Sequence, residues 1–138
     1  MDMEAETGSN GSGAAAQTVA IVGASANRHK FGNKSVRAHA KAGYRVYPIN
    51  LGGDPIEGLQ SSRRLADIDG TLDRISVYLP PSTTLAVLPE IARAEAREVW
   101  FNPGSSDPRV RAAAESLGIP AIYGCSIVDV GYSPADFS

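Results

Sequence analysis

The sequence predicts a single α/β domain built around a doubly wound parallel sheet of about five strands. From Thr18 onward, short apolar runs rich in β-branched residues alternate with segments of helical periodicity. This alternation is typical of a parallel sheet whose strands are connected by helices on its faces. A length of 138 residues fits one domain with its own core, and a hydrophobic fraction of 43% is close to the globular average. The expected fold class is therefore Rossmann-like.

Five segments have the character of strands. They are residues 18–22, 44–49, 75–79, 98–101 and 121–123. The first is an unbroken apolar run that ends at Gly23, as expected for a strand buried on both faces. Pro48 has no amide hydrogen to donate to a sheet ladder, so the second strand should end close to it. The chain beyond residue 124 is expected to be irregular.

Helices are predicted at residues 33–42, 82–96 and 108–117, with a short helix near residues 62–66. Gly43 and Gly118 follow the first and third of these helices in the position of C-terminal caps. Asp107 precedes Pro108, which is the order of an N-cap followed by proline at the first helical position. Pro89 would remove a hydrogen bond inside the second helix, so we expect the main helix there to begin at Pro89 after a short first turn.

Residues 1–16 differ from the rest of the chain because they are rich in Gly, Ser and Ala and have no apolar periodicity. We predict a flexible N-terminal tail there and place the domain at residues 17–138. The sequence has neither a secretory signal nor the run of about 20 apolar residues that a membrane-spanning helix needs. Cys125 is the only cysteine, which excludes an internal disulfide and multi-cysteine zinc sites. We expect a cytoplasmic protein without a membrane partner or a bound metal.

Charge is unevenly distributed along the chain. No Asp or Glu occurs between Thr7 and Gly53, although the net charge is −2, and this stretch contains Arg28, Lys30, Lys34, Arg37, Lys41 and Arg45. A local cationic segment in a slightly acidic domain indicates a particular anionic ligand, whereas a nucleic-acid-binding domain is usually basic throughout. A solvated basic helix face would give the same pattern, so charge alone does not decide between the two.

The loop that follows the first strand is the main candidate for ligand binding. Gly23 permits a tight turn, and the amides at the start of the next helix can donate to a phosphate. The dinucleotide fingerprint G-x-G-x-x-G is incomplete, since Ser25 and Arg28 occupy its second and third glycine positions. No acid follows the second strand until Asp54, which disfavours recognition of an NAD ribose but tolerates a phosphorylated ribose.

Several motifs occur in the order that one known family shows. Gly23-Ala24-Ser25 follows the first strand, Gly32-Asn33-Lys34 opens the first helix, residues 42–50 read AGYRVYPIN, and residues 100–104 read WFNPG. With these motifs the chain from about residue 18 to residue 130 resembles the stand-alone CoA-binding domain family. That family is similar to the N-terminal CoA-binding domain of the succinyl-CoA synthetase alpha subunit. The resemblance implies a domain that binds coenzyme A or an acyl-CoA.

The resemblance also implies a set of ligand contacts. The residues assigned to the coenzyme are Gly23, Ala24, Ser25, Ala26, Asn27, Arg28, Lys34, Asn50, Leu79, Pro80, Pro81, Asn102, Pro103 and Gly104. The diphosphate is expected over residues 23–27, the adenosine near residues 79–81, and the pantetheine arm toward residues 102–104. Asn102 stands where many family members carry glutamine, and its amide can still bond a ligand carbonyl.

Two positions bear on the details of this expected site. The synthetases carry a CoA-contacting lysine in the region that matches residues 50–53, where this chain has glycine, and Arg28, Lys30 or Lys34 could supply the missing charge. Cys125 matches a cysteine common in the family, near the floor of the cleft. We interpret it as a small buried apolar residue more readily than as a reactive thiol.

No catalytic set can be assembled from the sequence. Neither a Ser-His-Asp arrangement nor a pair of positioned carboxylates is identifiable, and His29 has no carboxylate or nucleophile beside it. The similar synthetases use a phosphorylated histidine in a later domain, and we expect no such segment in this protein. We therefore expect a non-catalytic binding, carrier or sensor module, with a homodimer or a partner enzyme subunit left open. Two alternatives remain: an NADP-type Rossmann domain in an oxidoreductase complex, and a protein-interaction module with a vestigial cleft.

Overall fold

The computed structural model of the protein describes residues 16–138, so the tail predicted at residues 1–16 lies outside the described residues except for Ala16. The strands are β1 (Thr18–Val22), β2 (Arg45–Ile49), β3 (Arg74–Val77), β4 (Glu98–Phe101) and β5 (Ala121–Tyr123). The helices are α1 (Phe31–Lys41), α2 (Pro81–Ala94), α3 (Pro108–Ser116) and α4 (Ser126–Asp129), with 3-10 turns at Leu65–Asp67 and Pro134–Phe137. None of these helices is both long and apolar enough to cross a bilayer.

The five strands form one parallel sheet in the order β2-β1-β3-β4-β5. This confirms the predicted fold class. The register pairs Val22 at the end of β1 with Ile49 on one side and Val77 on the other, so three strands end at the same edge of the sheet. The chain leaves β1 for β2 on one side and later returns to β3 on the other. The point between β1 and β3 is therefore a topological switch, where doubly wound sheets bind ligands beyond the strand ends.

Helices cover both faces of the sheet, because alternate residues of each strand point to opposite sides. In β1, Ala20 and Val22 belong to the larger core, which includes residues of α2 and α3 such as Leu88 and Val110. Val19 and Ile21 face the other way and belong to the core that contains Val36 of α1. This alternation of faces explains why β1 is apolar throughout.

The predicted helix break at Pro89 is wrong, since α2 runs without interruption through that position. Thr84, Leu88 and Ile91 of α2 are buried, while Pro89 itself is exposed. Burial of one side of the helix thus holds its two halves in line, although proline cannot donate the hydrogen bond of that turn.

Helix boundaries differ from the sequence prediction in several further places. The helix predicted at residues 82–96 spans Pro81–Ala94, and the short helix predicted near residues 62–66 is the 3-10 turn at Leu65–Asp67. α1 begins at Phe31, two residues earlier than expected, which brings Gly32 into its first turn. The segment after residue 124, expected to be irregular, contains the short helix α4. α4 packs against α1, so long-range contact stabilises a helix that is too short to persist by itself.

Arg74, at the start of β3, is buried, and no pattern in the sequence predicts this burial. The guanidinium carbon of Arg74 lies 5.3 Å from the ring centroid of Tyr44 and 4.9 Å from that of Trp100. Its Nη2 donates to the Asp129 carboxylate at 2.7 Å, and its Nε donates to Glu98 at 2.7 Å. Two carboxylates and two aromatic faces therefore compensate the buried charge.

His39 lies beside this arginine in a fully buried position. Its Nδ1 is 2.9 Å from the Ser35 carbonyl oxygen, and its Nε2 is 3.4 Å from Nη1 of Arg74. These contacts fit a neutral imidazole that donates through Nδ1 and accepts through Nε2. Burial lowers the pKa of His39 from 6.5 to about 4, with the Arg74 charge acting in the same direction.

We predict that Pro89→Ala stabilises the protein by about 1–3 kcal/mol, because alanine restores the missing hydrogen bond inside α2 and the exposed ring loses little packing. Urea unfolding followed by circular dichroism measures the change. Ser82→Ala, an exposed substitution near the start of the same helix, is the control and should stay within about 0.5 kcal/mol. An unchanged or lower stability of Pro89→Ala would contradict this account of α2.

We predict that stability falls as the pH is lowered from about 6.5 to about 4 and that His39 causes part of this loss. In that range unfolding exposes an imidazole that takes up a proton, whereas the buried imidazole of the folded protein stays neutral, so acid favours the unfolded state. The contribution of His39 is about 3 kcal/mol across the range. Urea unfolding at several pH values should show a shallower pH dependence in His39→Gln. The exposed control His29→Gln should keep the slope of the wild type.

Candidate functional site

A cavity of about 880 Å³ opens at the carboxyl edge of the sheet, beside the switch point between β1 and β3. Its wall is formed by the ends of β1, β2 and β3, the start of α1, the segment before the first 3-10 turn, and one side of α2. The residues that line it are Val22, Gly23, Ala24, Ser25, Lys30, Phe31, Gly32, Ile49, Asn50, Leu51, Arg63, Arg64, Leu65, Tyr78, Leu79, Pro80, Thr83, Val87 and Glu90.

Two glycines allow the loop after β1 to contact the start of α1. Gly23 has a φ of +91°, a conformation that side chains disfavour. A Cβ atom on Gly32 would collide with the carbonyl oxygen of Gly23 and press on the Cα of Ala24. Glycine at both positions therefore lets the helix begin directly against the loop.

The start of α1 is open toward the cavity. Lys30 occupies the N-cap position without a side-chain cap, and the first turn contains no acid. The backbone amides of Phe31 and Gly32 donate to no described residue, and both residues line the cavity. The positive end of the helix dipole and two amide donors are therefore available for an anion.

Local hydrogen bonds fix the loop between β1 and α1. The Ser25 hydroxyl accepts from the amide of Asn27 at 3.0 Å, and the Asn27 side-chain oxygen accepts from the amide of His29 at 3.0 Å. The Nδ2 of Asn33 donates to the Ser25 carbonyl at 2.9 Å. The loop thus has a defined path before any ligand binds.

Asn50 joins the loops that follow β1 and β2. Its Nδ2 donates to the Ala24 carbonyl at 2.8 Å, and its Oδ1 accepts from the Gly52 amide at 2.7 Å. The Ala24 amide in turn donates to the Ile49 carbonyl at 3.2 Å. Asn50 lines the cavity, and the hydrogen bonds of its side-chain amide fix the relative positions of two loops that form the cavity wall.

The segment of residues 63–65 was not predicted as part of the site. A parallel bridge pairs Ser62 with Ile49, with hydrogen bonds from the Asn50 amide to the Ser62 carbonyl and from the Ser62 amide to the Pro48 carbonyl, each 2.9 Å. This bridge fixes Ser62 beside β2, and residues 63–65, which follow it, complete the cavity wall between β2 and α2. The adjacent arginines Arg63 and Arg64 are the sequence signal that could have drawn attention to the segment.

Three cations and one carboxylate line the cavity. The cations are Lys30, Arg63 and Arg64, and the carboxylate is Glu90. Glu90 Oε2 accepts from the Ala66 amide at 2.9 Å, and its Oε1 lies 3.8 Å from Nη2 of Arg64. The Glu90 carboxylate thus contacts other residues of the wall, and the net charge of the residues that line the cavity is positive.

The structure brings together part of the predicted site. Gly23, Ala24, Ser25, Asn50, Leu79 and Pro80 line the cavity, whereas Ala26, Asn27, Arg28, Lys34, Pro81, Asn102, Pro103 and Gly104 do not. Arg28 pairs with Glu57, with 3.3 Å between its Nε and the carboxylate. Lys34 lies over the ring of Phe31, with its Nζ 5.6 Å from the centroid. Of the cations considered from the sequence, Lys30 is the one that reaches the cavity wall.

Asn102 does not face the cavity but is buried in a hydrogen-bond network inside the protein. Its Nδ2 donates to the Ser76 hydroxyl at 2.8 Å and to the Val77 carbonyl at 3.0 Å, and its Oδ1 accepts from the Ser126 amide at 2.9 Å. Both amide hydrogens are therefore used inside the protein. The side chain joins β3, the end of β4 and the start of α4.

Cys125 does not lie at the floor of this cavity, contrary to expectation. It packs with the cluster of Ala38, Ile127 and Phe137 on the α1 side of the sheet. The nearby Tyr78 does line the cavity, and its hydroxyl lies 3.0 Å from the Ser126 hydroxyl. Burial raises the pKa of Tyr78, so its phenol stays protonated at neutral pH.

Solved structures from several organisms share this architecture. A conserved hypothetical protein from Pyrococcus furiosus is 32% identical with a TM-score of 0.77, over 82% of this chain and 98% of that chain. A protein from Thermus thermophilus is 29% identical with a TM-score of 0.76, over 83% and 87%. An acetyl-coenzyme A synthetase from Ca. Korarchaeum cryptofilum is 22% identical with a TM-score of 0.68, over 77% of this chain and 25% of that one. This last similarity shows a common fold alone.

The sequence profile of a family described as "CoA binding domain" matches residues 17–130, which is most of the 138 residues. Every residue that lines the cavity falls within the matched range. The match confirms the resemblance inferred from the sequence motifs and supports coenzyme A as the general ligand. The chain belongs to the CoA binding domain family.

Proposed function

We propose that this protein binds coenzyme A or an acyl-CoA in the cavity described above, as a non-catalytic binding, carrier or sensor module. The observation that carries the proposal is the uncapped start of α1, where the amides of Phe31 and Gly32 meet a largely apolar cavity with a cationic rim. Coenzyme A combines a diphosphate with a nucleoside and a long pantetheine arm, in which alkyl segments alternate with amide groups. Membership of the CoA binding domain family supports the same ligand.

The diphosphate is proposed to bind at the start of α1. Two amide donors, the helix dipole and the Lys30 ammonium all favour an anion there. Gly23 and Gly32 have no side chains that would keep a phosphate away from the backbone. We thus propose that the loop of residues 23–25, which the sequence also predicts, binds the diphosphate and that Lys30 supplies the positive charge.

The size and lining of the cavity suit the remainder of such a ligand. A volume of about 880 Å³ lies within the range of small-molecule sites, about 300–1,000 Å³. Leu65, Leu79 and Val87 contribute apolar surface to the wall. Phe31 and Leu51, both at the cavity, are 57% and 81% exposed. A bound base or pantetheine arm would cover apolar side chains that now face water.

The proposed orientation of the ligand differs from the sequence expectation. The adenosine half is assigned to the side of β2, where Arg63 lies beside Leu51 and Gly53, because a phosphorylated ribose needs a cation near it. The pantetheine arm is assigned to Leu79 and Pro80 and the adjoining side of α2. We do not propose that the pantetheine arm runs toward residues 102–104, as expected from the sequence. Asn102 is buried, and both of its amide hydrogens are bonded within the protein.

A binding role is favoured over a catalytic one by the side chains that line the cavity. Its titratable groups among the described residues are Lys30, Arg63, Arg64, Tyr78 and Glu90. Glu90 accepts a backbone hydrogen bond, and the Tyr78 phenol is bonded to the Ser126 hydroxyl and keeps its proton. No serine, threonine or cysteine of this described lining has a neighbouring base that could activate it as a nucleophile.

We predict that Lys30→Ala weakens coenzyme A binding about tenfold or more, because a lost charge-assisted phosphate contact costs about 1.5–3 kcal/mol. Titration calorimetry measures the affinity. Arg28→Ala is the matched control, since Arg28 is a neighbouring exposed cation that pairs with Glu57 and does not line the cavity. Its affinity should stay within about twofold of the wild type. Equal losses in both variants would contradict the assignment of Lys30 to the phosphate.

We predict that coenzyme A and acetyl-CoA raise the melting temperature, whereas NAD does not. A ligand present at about 100 times its Kd stabilises the native state by about 2.7 kcal/mol, which is measurable in a thermal-shift screen. The screen also includes ADP and NADP. Stabilisation by NADP without coenzyme A would support the NADP-type alternative, and no response to any ligand would support the interaction module. Release of free thiol from acetyl-CoA by the protein would contradict the non-catalytic role.

A further inference from the structure

Arg63 differs from the other cations of the cavity in being held in place without an ion-pair partner among the described residues. Its Nη1 donates to the Leu51 carbonyl at 2.9 Å. Its guanidinium plane lies against Gly53, because a Cβ atom there would be 3.2 Å from Nε and 3.4 Å from Nη2. One backbone bond and one backbone surface therefore orient a side chain that is otherwise exposed.

The orientation of Arg63 leaves donors available for a ligand. Nε and Nη2 donate to no described residue, and these two nitrogens form one edge of the planar guanidinium. Such an edge binds two oxygens of a phosphate through parallel hydrogen bonds. Because the guanidinium is already fixed, less conformational entropy is lost on binding than for a mobile lysine.

Arg64 provides an internal contrast. Its guanidinium lies 3.8 Å from the Glu90 carboxylate, which compensates its charge, while Arg63 forms no salt bridge in the described part of the chain. The two arginines are adjacent in the sequence and line the same cavity, yet they differ in electrostatic environment. Arg63 is therefore the stronger candidate for an anion.

The position of Arg63 fits a phosphate on a ribose. Ser62 is paired beside β2, and β2 is paired beside β1, so Arg63 follows a segment two strand spacings, or about 10 Å, from the end of β1. The proposed diphosphate site lies at that end of β1. A nucleoside that carries a 5′-diphosphate and a second phosphate on its sugar can reach both places.

The residue that directly follows β2 is the neutral Asn50, and the first acid of the loop is Asp54. Asn50 occupies the position where NAD-binding proteins place an acid for the ribose hydroxyls, and its side chain is bonded to Ala24 and Gly52. Proteins that bind a phosphorylated ribose place an arginine in this region instead. In this protein the neutral Asn50 stands at the end of β2, and the arginine is Arg63, which lies 13 positions further along the chain.

We propose that Arg63 binds a phosphomonoester on the ribose of the ligand and thereby makes the cavity select coenzyme A over dephospho-CoA. The inference rests on the proposed function, because it assigns one group of the proposed ligand. The chemistry that Arg63 recognises, a phosphate on a ribose hydroxyl, also occurs in NADP. The test therefore compares two pairs of ligands, coenzyme A with dephospho-CoA and NADP with NAD.

Titration calorimetry with the full chain provides the test. The wild type should bind coenzyme A about tenfold or more tightly than dephospho-CoA. Arg63→Ala should lose this preference by weakening coenzyme A and leaving dephospho-CoA unchanged, and Arg63→Lys should retain only part of it. Arg64→Ala is the matched control and should keep the ratio of the wild type. Urea unfolding of each variant verifies that the fold is intact.

The outcomes separate this inference from the proposed function. Equal affinities of the wild type for coenzyme A and dephospho-CoA, or equal weakening of both by Arg63→Ala, would overturn the role of Arg63 while leaving the proposed function intact. Binding of neither would overturn the proposed function. A preference for NADP over NAD that depends on Arg63, without coenzyme A binding, would support phosphomonoester recognition by Arg63 and overturn coenzyme A as the ligand.

Discussion

The candidate site depends on the contact between the start of α1 and the loop that follows β1. Gly32 lies so close to the Gly23 carbonyl that any side chain there would force the helix away from the loop. The contact aims the first amides of α1 into the space beyond the strand ends. Because the first turn has neither a capping side chain nor an acid, the residues that the structure describes leave the positive end of this helix dipole uncompensated. This end of the helix is the place where we propose that the diphosphate of the ligand binds.

Polar groups near the carboxyl edge of the sheet form two sets, one buried within the protein and one facing the cavity. Behind the sheet edge, Asn102 and the hydroxyls of Ser76 and Ser126 satisfy one another in a buried network that joins β3, β4 and α4. In front of the edge, the cavity has donors without protein acceptors among the described residues. The buried network gives the sheet edge a fixed shape, which is the rigid support that a preformed binding site requires.

The sequence was most informative where local rules apply and least informative where packing decides. All five strands were predicted, since apolar runs bounded by glycine and proline report burial directly. Gly23, Ala24 and Ser25 are predicted as site residues because a glycine turn leads from β1 to the start of a helix, and the family resemblance implies the same loop. Pro89 was misread because burial of one helix face outweighs the local cost of proline. The segment of residues 63–65 was missed because a single long-range bridge to β2, which leaves no periodic pattern, brings it to the cavity.

The bridge between Ser62 and β2 has a consequence for association between molecules. An uncovered outer strand presents a row of amides and carbonyls to which a strand of another molecule can add. Here Ser62 bonds the outward-facing Pro48 carbonyl, and Pro48 has no amide to offer. At the opposite end of the sheet, β5 has only three residues. Both borders of the sheet therefore offer only a short row of backbone groups to a strand of another molecule.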